Sequence, residues 1–333
     1  MTATLAGLTD LRRRPDPHAR VALPDEDRLD GRTALVTGAS SGLGKAVAVG
    51  LARRGARVVM ACRSGVPEAA DEVRRLSGSD AVDILRVDLA DLASVHALCD
   101  TLADRGEPID VLVLNAGIVP RRASTTAQGL ELMFGVNYLA HAVLTRRLLD
   151  DGVIPVRQPA PEPDFGQPLS RIVVVSSEVH RSAGPLDPER LEGLTDYGAM
   201  GTMKQYGHTK LLLSTFACEL ARRLAPDGRP TAAVHHLCPG AVHTRIARDA
   251  PRWVQPVLGL VMRRLFRSPE VAAGPVLYLC AAREIEGQTG VYLHMETRKP
   301  TGERARDPEA GARLWQATDA LLRRVDSGRQ PPL

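Results

Sequence analysis

The sequence predicts one α/β domain built on a doubly wound parallel sheet of about seven strands. Three observations predict it. A short apolar, β-rich run, Thr33–Thr37, leads through GASSGLG into the helical pattern KAVAVGLARRG, which reads as strand, glycine turn, helix. Strand and helix patterns then alternate along the chain, as right-handed parallel crossovers require. The strand candidates are near-continuous apolar runs, as in DVLVLNAG and RIVVVSS, which is what burial on both faces of a sheet demands.

Taken in order, strands are expected near 33–37, 57–61, 82–87, 109–114, 170–176, 231–237 and 290–293. With 333 residues, 44% of them hydrophobic, the chain can enclose one large core, and a second domain is not required. The domain is placed at 29–325, between a loosely ordered arm at 1–28 and a tail at 326–333. A Pro-rich insert at 155–168 cannot complete a helix or a central strand and is expected as a surface excursion.

The glycine trio gives the fold its first chemistry. Gly38 permits the tight turn, Gly42 lets the backbone approach a phosphate, and Gly44 allows the helix to pack closely on the strand. A pyrophosphate would sit on the helix N-terminus, so the pattern predicts a dinucleotide-binding Rossmann fold, with G-x-x-x-G-x-G spacing. Sites for NAD usually carry an acidic residue at the end of strand two; this chain has Cys62 and Arg63 there, and no Asp or Glu from Gly31 to Pro67. Arg63 offers a planar fork to a 2′-phosphate, with Lys45 as a second positive charge. NADP(H) is the expected cofactor.

Tyr206 and Lys210 supply the second chemistry. They lie four apart in QYGHTK, on one face of a helix, where a lysine cation can make a tyrosine more acidic. With five Tyr and four Lys in the chain, only about 0.06 such pairs are expected by chance. Hydride transfer to a carbonyl leaves an alkoxide that needs a proton, and Tyr206 is the expected donor.

These motifs together resemble the short-chain dehydrogenase/reductase family in its non-extended branch. TGASSGLG at 37–44, including Ser40, Ser41 and Leu43, is similar to the cofactor loop, and VDLAD at 87–91 to the element whose aspartate, here Asp88 beside Leu89, faces the adenine. NAG, Asn115 with Ala116 and Gly117, resembles the family's stabilising turn. The resemblance implies a catalytic set of Asn137, Ser177, Tyr206 and Lys210, with Tyr206 and Lys210 also binding cofactor. It further implies that CPGAVHT, with Pro239, Gly240, Val242 and Thr244, closes over the nicotinamide.

RGARVVMACR, YGHTKLLLSTFACELARRL and GARLWQATDALL narrow the likeness to retinol dehydrogenase-like reductases, with protochlorophyllide reductases more distant. An apolar alcohol, aldehyde or ketone is then the expected substrate, retinal-like, steroid-like or a natural product. The alternatives are a C=C reductase of the protochlorophyllide type and a catalytically silent NADP-binding regulator. The anchoring segment common at the start of retinol dehydrogenases is not seen.

A lid is expected over 245–268, where RWVQPVLGLVMRRLFR at 252–267 sets apolar residues, Trp253 among them, against Arg263, Arg264 and Arg267. Too short to span a bilayer, it could rest weakly on a membrane surface. His180 and Trp253 are the pocket candidates.

Composition excludes several classes. A net charge of +4 spread along the chain, with 3% aromatics, argues against nucleic acid. Five cysteines without C-x-x-C spacing argue against a metal, and for reduced, mostly buried thiols. No apolar run long enough to cross a membrane is present, and PDPHAR after RRR spoils an export signal, so a cytoplasmic enzyme is expected, with homo-oligomers left open.

Overall fold

The computed structural model describes residues 20–157, 168–242 and 267–326. Its strands are β1 (Thr33–Thr37), β2 (Arg57–Cys62), β3 (Val82–Arg86), β4 (Val111–Leu114), β5 (Arg171–Val175), β6 (Ala233–Cys238), β7 (Tyr292–His294) and β8 (Thr297–Arg298). They form one sheet in the order β3-β2-β1-β4-β5-β6-β7-β8. All pairs are parallel except the last, a two-residue β8 folded back antiparallel on β7. That eighth strand is too short to leave a period-two signal.

The strand order reverses between β1 and β4, and a crevice opens beyond their carboxyl ends. Successive residues of a strand face opposite sides, so β1 sends Leu35 to one core and Ala34 and Val36 to the other. The second core is closed by α1 (Gly42–Arg53), α2 (Glu68–Ser77) and α7 (Pro269–Ala281). The first lies under α3 (Leu92–Arg105), α4 (Leu132–Phe134), α5 (Ala140–Asp150), α6 (Ala199–Arg223) and α9 (Pro308–Asp326), with α8 (Glu303–Arg306) packed on α6. Burial on both faces explains the unbroken apolar strands.

Between α4 and α5 the helix widens into a π-helical turn, Gly135–Leu139. Such turns are rare and concentrate at functional sites. α9 is fixed to the same region by Tyr138, whose hydroxyl lies 2.6 Å from the Thr318 hydroxyl, by stacking of Trp315 on Phe216, and by the Arg146–Asp319 ion pair.

The described part of the expected arm is held to the sheet. Arg20 bridges Thr297, Val21 donates to the Glu296 carbonyl at 2.7 Å, and Asp27 is buried. Residues 1–19, most of the Pro-rich insert, most of the lid and the tail beyond 326 lie outside the described residues. Among the described residues no helix is long and apolar enough to cross a membrane, and no cluster of His, Cys, Asp or Glu could hold a metal ion.

Candidate active site

The glycine loop joins β1 to α1 at the crevice. Gly38 takes φ +67, and a Cβ there would stand 3.0 Å from Ala116; a Cβ on Gly44 would come within 2.4 Å of Asn115 Nδ2 and of the Gly38 carbonyl. Gly42 takes φ +57 with nothing within 4 Å of a Cβ, so its outer side is open. Two glycines serve packing and the third serves access. Ser41 caps α1 without a side-chain hydrogen bond, and the first turn holds no acid. The first N–H groups and the positive end of the helix thus face the crevice without a side-chain cap, as an anion requires. These residues fit a pyrophosphate.

Asn115 holds the loop to β4. Its Nδ2 donates to the Thr37 carbonyl at 2.8 Å, and its N–H donates to Thr37 Oγ1 at 2.9 Å. Asp88 spends Oδ1 on the N–H of Ala90, and Leu89 packs in the core. At the end of β2, Arg63 is exposed and makes no hydrogen bond or ion pair among the described residues, while the Cys62 thiol meets the Ser40 hydroxyl. Lys45 is not the free second cation expected from the sequence. It pairs with Glu72 at 2.7 Å, an acid on α2 that lies just beyond the acid-free stretch.

Asn137 sits in the π-helical turn, fully buried. Its Oδ1 accepts from the N–H of Ile118 at 2.8 Å, and its Nδ2 donates to the Ile118 carbonyl at 3.0 Å and to Thr209 Oγ1 at 3.2 Å. Ser177 follows β5 and caps a short 3₁₀ turn, Glu178–Ser182. Tyr206 and Lys210 lie one turn apart on α6, with Lys210 Nζ 5.7 Å from the Tyr206 ring centre. Lys210 is buried and donates to the Val175 carbonyl at 2.9 Å. A Cβ on Gly117 would stand 3.4 Å from Asn137 Oδ1 and 3.7 Å from Lys210 Nζ, so the NAG turn brings these two groups together.

Without the cofactor, the electrostatics of the site favour the neutral phenol. Burial pushes the Tyr206 phenol up to about 12, the nearby Cys238 thiol pushes the same way, and a hydrogen bond with Ser177 opposes them. Burial lowers Lys210 to about 8. In the cofactor-free protein Lys210 directs its charge at the Val175 carbonyl, and desolvation outweighs any acidification of Tyr206. The phenol is therefore protonated at neutral pH in the cofactor-free protein.

His180 has a scaffold role in this turn. It is buried, its Nδ1 lies 2.6 Å from the Ser177 carbonyl and its Nε2 accepts from the N–H of Gly302 at 3.1 Å. With both nitrogens engaged, it ties the Ser177 turn to the C-terminal segment. Pro239, Gly240 and Val242 are described at the end of β6, whereas Thr244, His243 and Trp253 lie outside the described residues.

Sequence reasoning missed His141. Its Nδ1 lies 3.3 Å from the Asn137 carbonyl and its Nε2 lies 3.2 Å from Thr37 Oγ1. A carbonyl can only accept, so the neutral ring carries its proton on Nδ1 and accepts from Thr37 at Nε2. The spacing N-x-x-x-H in FGVNYLAH was the available signal. Glu178 was missed as well; its carboxylate accepts from Tyr292, from Lys299 at 2.8 Å and from Arg181 at 3.1 Å.

A family model described as short chain dehydrogenase matches residues 32–185. Human retinol dehydrogenase 13 is 34% identical over 319 residues, covering 94% of this chain and 91% of the relative. The chain belongs to the short-chain dehydrogenase/reductase family. Human dehydrogenase/reductase SDR family member 13 is 38% identical over 299 residues, covering 88% of this chain and 74% of that protein. A crystal structure of an uncharacterised Mycobacterium paratuberculosis protein superposes with TM-score 0.67 at 27% identity, covering 91% of this chain and 98% of that one. The chain is thus a short-chain dehydrogenase/reductase of the retinol dehydrogenase-like subgroup, an oxidoreductase acting on CH–OH groups with a nicotinamide cofactor.

Proposed function

We propose that the protein is an NADP(H)-dependent reductase or dehydrogenase of an apolar aldehyde, ketone or alcohol, with Tyr206 as general acid and base. The convergence of Ser177, Tyr206, Lys210 and Asn137 at the carboxyl ends of β5 and β4 carries this reading. A regulator that only bound the nucleotide would need the glycine cradle and not a tyrosine set beside a buried lysine.

The glycine loop, Asn115 to Gly117, Arg63, Asp88, Lys210 and the Pro239–Val242 segment would hold the cofactor. When bound, NADP(H) gives or takes the hydride. The chain's own groups handle the oxygen and its proton. Ser177 and Tyr206 donate to the substrate oxygen, and Tyr206 passes its proton as negative charge develops there. Lys210 places a buried cation beside the phenol, so that proton loss from Tyr206 is met by charge already in position. Asn137, held by Ile118 and Thr209, orders the path by which Lys210 is resupplied with protons.

Support for an apolar substrate comes from relatives named for long isoprenoid alcohols, retinol and polyprenol. Mouse polyprenol dehydrogenase is 35% identical, covering 86% of this chain and 82% of that protein. Met203, one turn before Tyr206, is 55% exposed and adds an apolar surface beside the crevice. A panel of lipophilic aldehydes, ketones and alcohols, retinal and steroids included, followed by NADPH absorbance, tests the reading. Absence of turnover with any of them, with NADPH still bound, would favour the regulator.

Cofactor choice rests on Arg63. A neighbour at 29% identity and TM-score 0.55, a gluconate 5-dehydrogenase candidate from Beutenbergia cavernae, was crystallised with bound NADP. Because Lys45 is already paired, Arg63→Ala is expected to erase most of the preference for NADPH. A charge-assisted phosphate contact is worth roughly 1.5–3 kcal/mol, or about ten- to a hundredfold. NADH affinity should hardly change. Equal dissociation constants for the two cofactors in the parent protein would defeat this assignment.

A further inference from the structure

The turn between β7 and β8 holds a residue in an unusual conformation. Met295 takes φ +54, in the left-handed region that residues with a side chain seldom occupy. Such backbone persists where the surroundings over-determine it, and these do. The Met295 N–H donates to the Cys238 carbonyl at 2.7 Å, the next residue's carbonyl accepts from Val21, and the Glu296 carboxylate pairs with Arg267. Arg267 in turn bridges Val242 and donates its N–H to the Ala241 carbonyl at 2.8 Å.

The turn is thereby pressed onto the Pro239–Val242 segment. Gly240 takes φ +83, and a Cβ there would stand 3.1 Å from Met295 Cγ and 3.2 Å from its Sδ. A glycine after a proline would otherwise sample many conformations. The thioether, polarisable and able to fill an irregular surface, covers the face of Gly240 and removes that freedom. Neither Met295 nor Glu296 takes part in the chemistry proposed above.

We propose that Met295 is a positioning residue for the nicotinamide half of the cofactor, acting through Gly240, with the Glu296–Arg267 pair holding the turn in place. This rests on the reading that the Pro239–Val242 segment lies over the nicotinamide. The glycine loop and Arg63, which would hold the adenine half, sit beside β1 and β2, four and five places from β7 in the sheet. The two halves of the cofactor should therefore respond differently.

The experiment compares NADPH with 2′,5′-ADP, which lacks the nicotinamide, by fluorescence or calorimetric titration of the full chain. Met295→Ala and Met295→Gly are expected to weaken NADPH about tenfold, as for a segment that keeps its binding conformation about a tenth of the time. Affinity for 2′,5′-ADP should stay within about twofold, and Met295→Leu should restore NADPH binding. Met295→Gly should melt no lower than Met295→Ala, because glycine accepts the left-handed backbone. Glu296→Gln, which leaves the turn's backbone intact, should show the same selective loss. NADPH affinity near the parent's in all these variants would overturn the inference, as would a parallel loss for 2′,5′-ADP. A parent that binds 2′,5′-ADP and NADPH equally would show that the nicotinamide half makes no net contact, removing the underlying reading and this inference with it.

Discussion

Tyr206→Phe is expected to lower turnover at least about a hundredfold, the usual scale for loss of a general acid, while NADPH binding is retained. The substitution removes one oxygen from a site whose other members keep their own supports: Lys210 on the Val175 carbonyl, Asn137 on Ile118 and Thr209. Because the phenol lies near 12 and Lys210 near 8 in the free protein, reduction should also weaken above about pH 8, as Lys210 loses its proton. Steady-state rates against pH, paired with a cofactor titration, measure both. A Phe variant with near-normal turnover would remove Tyr206 from the mechanism.

The sequence made the sheet legible because parallel strands buried on both faces leave long apolar runs. DVLVLNAG and RIVVVSS carry β4 and β5, and the helix expected after GASSGLG starts within that motif, at Gly42. The site elements were placed by the same means, since Asn115, Ser177 and Pro239 each follow a strand end. Other features had no local signal. The π-helical turn around Asn137 depends on how α4 and α5 meet the sheet, and β8 is only two residues long.

Burial decided the remaining differences. From spacing alone Lys210 acidifies Tyr206, but spacing says nothing of desolvation, which is the larger effect on both groups. His180 reads as a cleft residue from its distance to Ser177 along the chain; only the fold shows that Gly302 occupies its far nitrogen. Lys45 likewise looks unpaired until α2 brings Glu72 across from 27 residues away.

Acid should destabilise the protein strongly, and the buried histidines give the reason. Burial lowers His141, His235 and His236 from 6.5 to about 3, with Lys210, Arg171 and His180 respectively adding repulsion. A depressed pKa means that the unfolded chain binds protons which the folded one refuses. The stability these groups contribute is therefore complete above about pH 6.5 and is lost as pH falls from there toward about 3. At about pH 5 each costs about 2 kcal/mol, so the three together cost on the order of 6 kcal/mol, against a typical total of about 5–15. His235 is the one to change, because both its ring nitrogens are buried without a hydrogen-bond partner among the described residues. His235→Leu should raise the melting temperature near pH 7, since it removes unpaired polar atoms, and should make the loss of stability toward pH 5 smaller by about 2 kcal/mol. Thermal denaturation of parent and variant across that range checks both signs. A parent whose Tm is level between about pH 7.5 and 5, or a variant with the parent's slope, would show that these imidazoles are not held neutral by the fold.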